Sequence, residues 1–150
     1  MKSLEHPIGF LLVDAARLMR LRFDRILTEA GLDLTPGEAR TLIYIHRFGA
    51  ARQTDLARQM AIEPMTLVSF LDRLEARGLV VRAPDPGDRR AKIVRLTDIA
   101  GPVLAEVREV AQRVRASALA GMTEAEAEQF LRLLERAHGN LADCRTDSTA

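Results

Sequence analysis

The sequence predicts a mainly α-helical fold with a single β-hairpin, and three observations carry that reading. Apolar residues recur at steps of three and four along most of the 150 residues, the period of helices with one buried face. Capping boxes and glycine stops divide those stretches into separate helices. Only residues 79–96 break the period, with β-branched runs on either side of a dense turn signal.

The first helix is expected over about Ile8 to Ala30, with Ile8, Leu11, Leu12, Ala15, Met19, Phe23, Ile26 and Leu27 on one face. Arg17, Arg20 and Asp24 fall largely off it, and Gly31-Leu32 supplies a left-handed stop. So long a helix in so small a chain offers more apolar surface than one domain covers, so a partner helix is expected. Thr35-Pro36-Gly37-Glu38 starts the second helix: Thr35 caps, Pro36 fits the first helical position, and Glu38 completes a Thr-x-x-Glu box. Ala39, Leu42, Ile43 and His46 are expected to face inward before Gly49 ends the helix.

A short helix from about Thr54 to Met60 has Leu56, Ala57 and Met60 as its apolar side. Ala61-Ile62-Glu63 forms a tight turn, and Pro64 opens the next helix, which runs to Arg77 and stops at Gly78. On it Leu67, Leu71 and Leu74 share one face, while Thr66, Ser69 and Arg73, with Met65 beside them, share another. Leu79-Val80-Val81-Arg82 and Lys92-Ile93-Val94-Arg95-Leu96 then read as two strands around Pro84-Asp85-Pro86-Gly87-Asp88. Asp88, Arg89 and Arg90 lie at or near the tip of this hairpin.

Thr97-Asp98 is expected to cap a helix reaching about Ala120, with Val103, Val107, Val110 and Val114 as a heptad-like stripe. Pro102 is expected to kink its first turns or delay the regular helix. After Gly121, Thr123-Glu124-Ala125-Glu126 is a second capping box for a last helix that carries Ala127, Phe130, Leu131, Leu134 and Leu141.

Composition narrows the function. No apolar run approaches the roughly 18–20 residues of a membrane span, and the N-terminus lacks a secretory pattern, so a soluble cytoplasmic protein without membrane contact is expected. Cys144, the sole cysteine, suits a reducing compartment, and with His6, His46 and His138 it makes no ligand spacing, so no metal or cofactor is expected. Neither a phosphate loop nor a nucleophile elbow is present, and Asp85 and Asp88 read as turn formers, so an enzyme is not expected. The 22 basic residues nearly balance the 21 acidic ones, yet residues 52–97 hold nine Lys/Arg against six Asp/Glu, a net of +3. Arg82, Arg89, Arg90, Lys92 and Arg95 concentrate that charge on the hairpin, as a localised anion-binding surface requires.

Helix, tight turn, helix and basic hairpin, in that order, make a winged helix-turn-helix: one helix braces on the DNA backbone, the next enters the major groove, and the wing reaches a minor groove. Thr66 and Ser69 are short enough for the helix backbone to approach the groove, and Arg73 is long enough to reach a phosphate or a guanine edge. The same arrangement could serve as an interaction adaptor without DNA binding, but an adaptor has no physical need for Arg89 and Arg90 at a hairpin tip.

From about Gly9 to Leu141 the order of elements resembles the MarR family of bacterial transcription regulators, and its SlyA-like branch in particular. The resemblance is carried by Asp72-Arg73-Leu74-Glu75-Ala76-Arg77-Gly78-Leu79-Val80, Asp88-Arg89-Arg90-Ala91-Lys92 and Leu96-Thr97. It implies a homodimer with one winged helix-turn-helix per subunit and intertwined first and last helices, which would use the apolar stripes of residues 8–30, 102–120 and 124–141. Residues 1–34 would then be an N-terminal dimerisation helix, 35–97 the DNA-binding region, 98–142 the C-terminal dimerisation helices and 143–150 a flexible tail, in one globular unit. The resemblance further implies a repressor of a pseudo-palindromic operator in double-stranded DNA, released by a small-molecule effector. Carried over by position, Arg89 and Arg90 take the wing role, with Arg90 the inserted residue and Asp88 orienting an arginine. Lys92 touches phosphate, Met65, Thr66, Ser69 and Arg73 take the recognition-helix roles, and Gln53 or Thr54 meets phosphate. Two positions depart from the family pattern. Ser69 stands where close relatives often have arginine, which implies a different sequence preference or affinity. Ala39 stands where an aromatic is common near the effector crevice, which argues against a salicylate-like effector.

Overall fold

A computed structural model describes residues 7–143; His6, Cys144 and the tail from 144 to 150 lie outside the described residues. The chain divides into two compact units, one ending at Val114 and the other beginning at Arg115.

The first unit contains α1 (Ile8–Glu29), α2 (Pro36–Phe48), β1 (Ala51–Arg52), α3 (Gln53–Met60), α4 (Pro64–Ala76), β2 (Val80–Asp85), β3 (Asp88–Leu96) and most of α5 (Ala100–Ala118). The predicted class, mainly helical with a winged helix-turn-helix, is the one observed. The capping box at α2 is present: Thr35 Oγ1 accepts from the Glu38 amide at 3.3 Å, and the Glu38 carboxylate accepts from the Thr35 amide at 3.0 Å.

Two apolar clusters hold this unit. One gathers Leu42, Ile45, Leu56, Ala57, Leu67, Leu71, Leu74, Leu79, Val80 and Val94, so the leucine face of α4 is its centre. Each of those three α4 leucines is fully buried, a state that stabilises by roughly 1.5–3 kcal/mol per side chain. The other cluster joins Phe23, Ile26 and Leu27 of α1 to Ala39 of α2 and Val107, Val110 and Val114 of α5. The α5 valines, expected to await a partner, are therefore packed within their own chain. What α1 leaves uncovered runs from its start through Leu21, with Ile8, Phe10, Leu11, Val13, Leu18, Met19 and Leu21 exposed.

Helix α2 is the wall between the clusters, and that explains a shift in its buried face. Glu38, Thr41 and Ile45 are buried with Ala39 and Leu42, whereas His46 is exposed. A helix packed on both sides buries more than one stripe, and the apolar positions alone fit either phase. Thr41 is accommodated because its hydroxyl donates to the Gly37 carbonyl at 2.8 Å.

The sheet has the order β1-β3-β2, antiparallel throughout. Both hairpin strands run further than the sequence indicates, leaving Pro86 and Gly87 as the turn, with an irregularity at Pro84/Asp85. Pro84 is tolerated inside β2 because that strand is at the edge, where a missing N–H need not break a ladder. The two-residue β1 pairs Ala51 with Val94 and is too short to show any period.

Two expectations at the start of α5 are corrected. The Thr97 hydroxyl donates to the Gly78 carbonyl at 2.5 Å, fastening the end of the hairpin to the end of α4 instead of capping its own helix. Pro102 is the third residue of α5, where amides have no intrahelical acceptor to lose, so the helix runs from Ala100 without delay.

In the second unit α6 (Glu124–Asp143) starts at the second capping box, where the Thr123 amide donates to Glu126 Oε2 at 2.8 Å. Phe130, Leu133, Leu134 and Leu141 on this helix are exposed. Among the described residues no helix is long and apolar enough to cross a membrane.

Candidate nucleic-acid interface

The interface candidate is built from α3, α4 and the hairpin. The turn between the two helices is set by Ala61, which adopts the left-handed conformation (φ 51°, ψ 46°). The amides of Ala61 and Ile62 return to the Arg58 and Ala57 carbonyls, both at 3.1 Å, closing α3 and redirecting the chain into α4. Gln53 and Thr54 open α3; Thr54 is exposed, and Gln53 is half-buried with its Oε1 lacking a partner among the described residues.

Helix α4 is held close to α2, since a Cβ at Gly37 would fall on the Phe70 ring. Opposite its leucines, Met65, Thr66, Ser69 and Arg73 are exposed on one side, as their spacing predicts. Met65 is 75% exposed, unusual for so apolar a side chain. Arg73 is not free. Its Nε lies 3.3 Å from Glu38 Oε1 and 3.3 Å from the Ser69 carbonyl, and its Nη2 donates to Ser69 Oγ at 3.0 Å.

Arg82, near the base of the hairpin, is likewise engaged, whereas Arg95, opposite Val81 on β3, is exposed. Arg82 donates through Nε to Glu75 at 3.0 Å and through Nη2 to Asp72 at 2.7 Å, so it binds β2 to α4. The Arg82 hydrogen bond holds the Glu75 carboxyl below the usual carboxylate range, and the same bond raises Arg82 above its ordinary value. Asp85 is buried, accepts the Gly87 amide at 2.7 Å and pairs with Arg52 at 2.5 Å. The Gly87 amide first, and then Arg52, lowers the Asp85 carboxyl against the opposing effect of burial.

At the tip the arrangement differs. Asp88 Oδ1 accepts the backbone amide of Arg90 at 3.0 Å, so what it shapes is the backbone that presents Arg90. Arg89 and Arg90 are exposed, and neither has an acidic partner among the described residues. Successive strand residues face opposite sides, so Arg90 and Lys92 share the side of buried Val94, and Arg89 shares the other with Ile93.

The structure thus brings Met65, Thr66 and Ser69 together on α4 and leaves Arg89, Arg90 and Lys92 exposed on β3. The links of Arg73 to Glu38, Arg82 to Glu75, and Arg52 to Asp85 were not foreseen. Opposite charges on either side of the Gly78 stop were the one available hint for Arg82. Separately, a cleft of about 240 Å³ opens between the end of α1 and α5, lined by Ala30, Leu32 and Val110 with Glu106, Glu109 and Arg113.

A family model described as "MarR family" matches residues 34–92, the segment that contains α2, α3, α4, β2 and the hairpin tip. A crystal structure of MarR is 25% identical over 98% of this chain and 99% of its own, with a TM-score of 0.81. A probable transcriptional regulator from Pseudomonas aeruginosa is 31% identical over 90% of this chain and 99% of its own, with a TM-score of 0.65. BpsR from Bordetella bronchiseptica, whose DNA binding is regulated by 6-hydroxynicotinic acid, is 25% identical over 92% and 97%, with a TM-score of 0.69. With its helix-turn-helix and wing matched to the family model and nearly its full length aligned to such regulators, this chain belongs to the MarR family of DNA-binding transcription regulators.

Proposed function

We propose that this protein is a cytoplasmic, homodimeric repressor of the SlyA-like branch that binds a pseudo-palindromic operator and is released by a small-molecule effector. The observation that carries DNA recognition is the pair of exposed arginines, Arg89 and Arg90, which have no acidic partner among the described residues, on a hairpin whose Arg82 is already neutralised. A free guanidinium at a narrow tip gains most from the strong negative potential of a minor groove. In this reading Arg90 enters that groove, Asp88 shapes its backbone, and Arg89 and Lys92 contact the flanking phosphates. Met65, Thr66 and Ser69 face the major groove, and Thr54 with Gln53 meets phosphate at the start of α3, where free amides favour anions. Arg73 is tied to Glu38 and Ser69 through Nε and Nη2.

Dimerisation is supported by the exposed apolar residues of α1 and α6, taken each by itself. An isologous pair would place two recognition helices about one helical turn apart on the duplex. The effector is a small molecule that binds the two lobe spacings unequally, as any such switch requires. Regulation of the Bordetella relative's DNA binding by 6-hydroxynicotinic acid supports a ligand of that size, for which the cleft beside Val110 is a candidate. Selection from random duplex DNA, followed by light scattering of the complex, tests the reading. The expected result is a two-fold symmetric consensus bound by two protomers. Failure to enrich any duplex, or binding as a monomer, would overturn it.

A further inference from the structure

The major-groove face of α4 is short of the side chains that distinguish purines. Bidentate reading of guanine needs a free Arg or Lys, and bidentate reading of adenine needs Asn or Gln. Between Pro64 and Ala76 there is no Lys, Asn or Gln, and the one arginine is Arg73. Its guanidinium is shared among Glu38 Oε1, the Ser69 carbonyl and Ser69 Oγ. Glu38 is itself buried and completes the α2 cap, so withdrawing Arg73 would strip a buried carboxylate of its cation. Ser69, by the same bond, has part of its hydrogen-bonding capacity in use.

What remains free at the N-terminal end of α4 is Met65, 75% exposed, with the short hydroxyl of Thr66 beside it. In helix-turn-helix docking the first residues of the second helix are those that meet base edges. A thioether there has no donor and accepts only weakly, but it is flexible and apolar, and the major groove presents one apolar feature, the 5-methyl group of thymine.

We infer that Met65 is a specificity-determining residue that reads thymine methyl groups in each operator half-site, with Arg73 positioning α4 on α2 instead of reading guanine. This inference rests on the DNA-binding reading above and adds the base chemistry to it.

The test uses duplexes selected by the wild-type protein from a random pool. Each half-site thymine is replaced singly by deoxyuridine, which removes only the methyl group, and each guanine by 7-deazaguanine, which removes the N7 acceptor. Dissociation constants are measured at fixed salt for the wild type, Met65→Ala, Thr66→Ser and Arg73→Ala. At one or two positions, uracil is expected to weaken wild-type binding about fourfold, the factor equivalent to roughly 0.8 kcal/mol for one buried carbon group. Met65→Ala should bind the thymine and uracil duplexes equally. Because Met65 is exposed, its removal leaves the fold intact, which an unchanged melting temperature verifies.

The inference is overturned if uracil is without effect at every half-site position. It is equally overturned if Thr66→Ser, not Met65→Ala, removes the uracil effect, or if 7-deazaguanine weakens the wild type but not Arg73→Ala. A wild-type protein that enriches no duplex would overturn the DNA-binding proposal itself, a result distinct from all of these.

Discussion

Near the base of the β2–β3 hairpin, Arg82 is bonded to Glu75 and Asp72, and beside the turn Asp85 is bonded to Arg52 of β1. A few residues further along, at the tip, Arg89 and Arg90 have no acidic partner among the described residues. The sequence presents these arginines as one basic stretch, but the fold sorts them into two kinds. Arg82 and Arg52 spend no net charge on a ligand: carboxylates neutralise them, and Arg82 fixes where the hairpin stands relative to α4. Those at the tip keep their full charge and their hydrogen-bond donors for something outside the chain. Partnering, more than the number of cations, marks the surface that meets DNA.

Replacing both tip arginines should have the largest effect on function. Arg89→Ala with Arg90→Ala is expected to weaken operator binding by about 1–3 kcal/mol for each specific interaction with DNA that is removed. Thermal stability should stay within about 0.5 kcal/mol of the wild type, because neither side chain has an ion-pair partner among the described residues to lose. Fluorescence titration at fixed salt, together with thermal denaturation, checks both halves. A double variant that binds operator normally would erase the distinction between tip and base.

At the base, Arg82→Ala should move stability and affinity together. Its guanidinium is mostly buried, and its removal leaves Glu75 and Asp72 facing each other without a cation. Charge-assisted hydrogen bonds contribute about 1.5–3 kcal/mol each when well buried. Both carboxylates are partly open to solvent, so the net loss expected in denaturant unfolding is about 1–2 kcal/mol. Operator binding should fall by less than in the tip variant, since the tip charges remain but are presented less rigidly. Arg82→Lys should recover only part of either loss, because an ammonium cannot reproduce the fork that spans two carboxylates. Unchanged stability in Arg82→Ala would show that the base pairs do not hold the wing.

Much of this molecule was legible in local sequence. The helix start at Thr35-Pro36-Gly37-Glu38, the leucine face of α4, the position of the hairpin and the capping box at Thr123 all depend on residues within about two turns of one another. What escaped depends on partners distant along the chain. Arg73 looks free when judged by spacing on α4 alone, because Glu38 belongs to another helix. Arg82 joins Arg89 and Arg90 in any count of charge, although only the folded chain brings Glu75 and Asp72 against it. Val107, Val110 and Val114 form a stripe whose period fits a partner subunit as well as the Phe23, Ile26 and Leu27 they actually cover. Periodicity reveals that a face must be buried, and only the tertiary arrangement decides against what.

Acid provides the gentlest way to separate the neutralised arginines from the exposed ones. Glu75 and Asp85 both have carboxyls lowered in the folded state, by the Arg82 bond and by the Gly87 amide respectively. The folded form therefore binds fewer protons than the unfolded chain in the range where these groups titrate. Their stabilisation is complete above the ordinary carboxylate values, near pH 4, and is lost as pH falls through the lower folded values. Arginine does not titrate anywhere in this range, so Arg89 and Arg90 keep their charge throughout. Amide hydrogen exchange at Gly87 and Arg82 should be slow and steady, after correction for intrinsic rates, from neutrality to about pH 5, and protection should decline below pH 4. Asp85→Asn should weaken protection at Gly87 at neutral pH and flatten its acid response, because the amide side chain can still accept a hydrogen bond but carries no charge to lose. Protection at Gly87 that rises on acidification, or an acid response that survives Asp85→Asn unchanged, would mean that the turn of the wing is held by something other than Asp85.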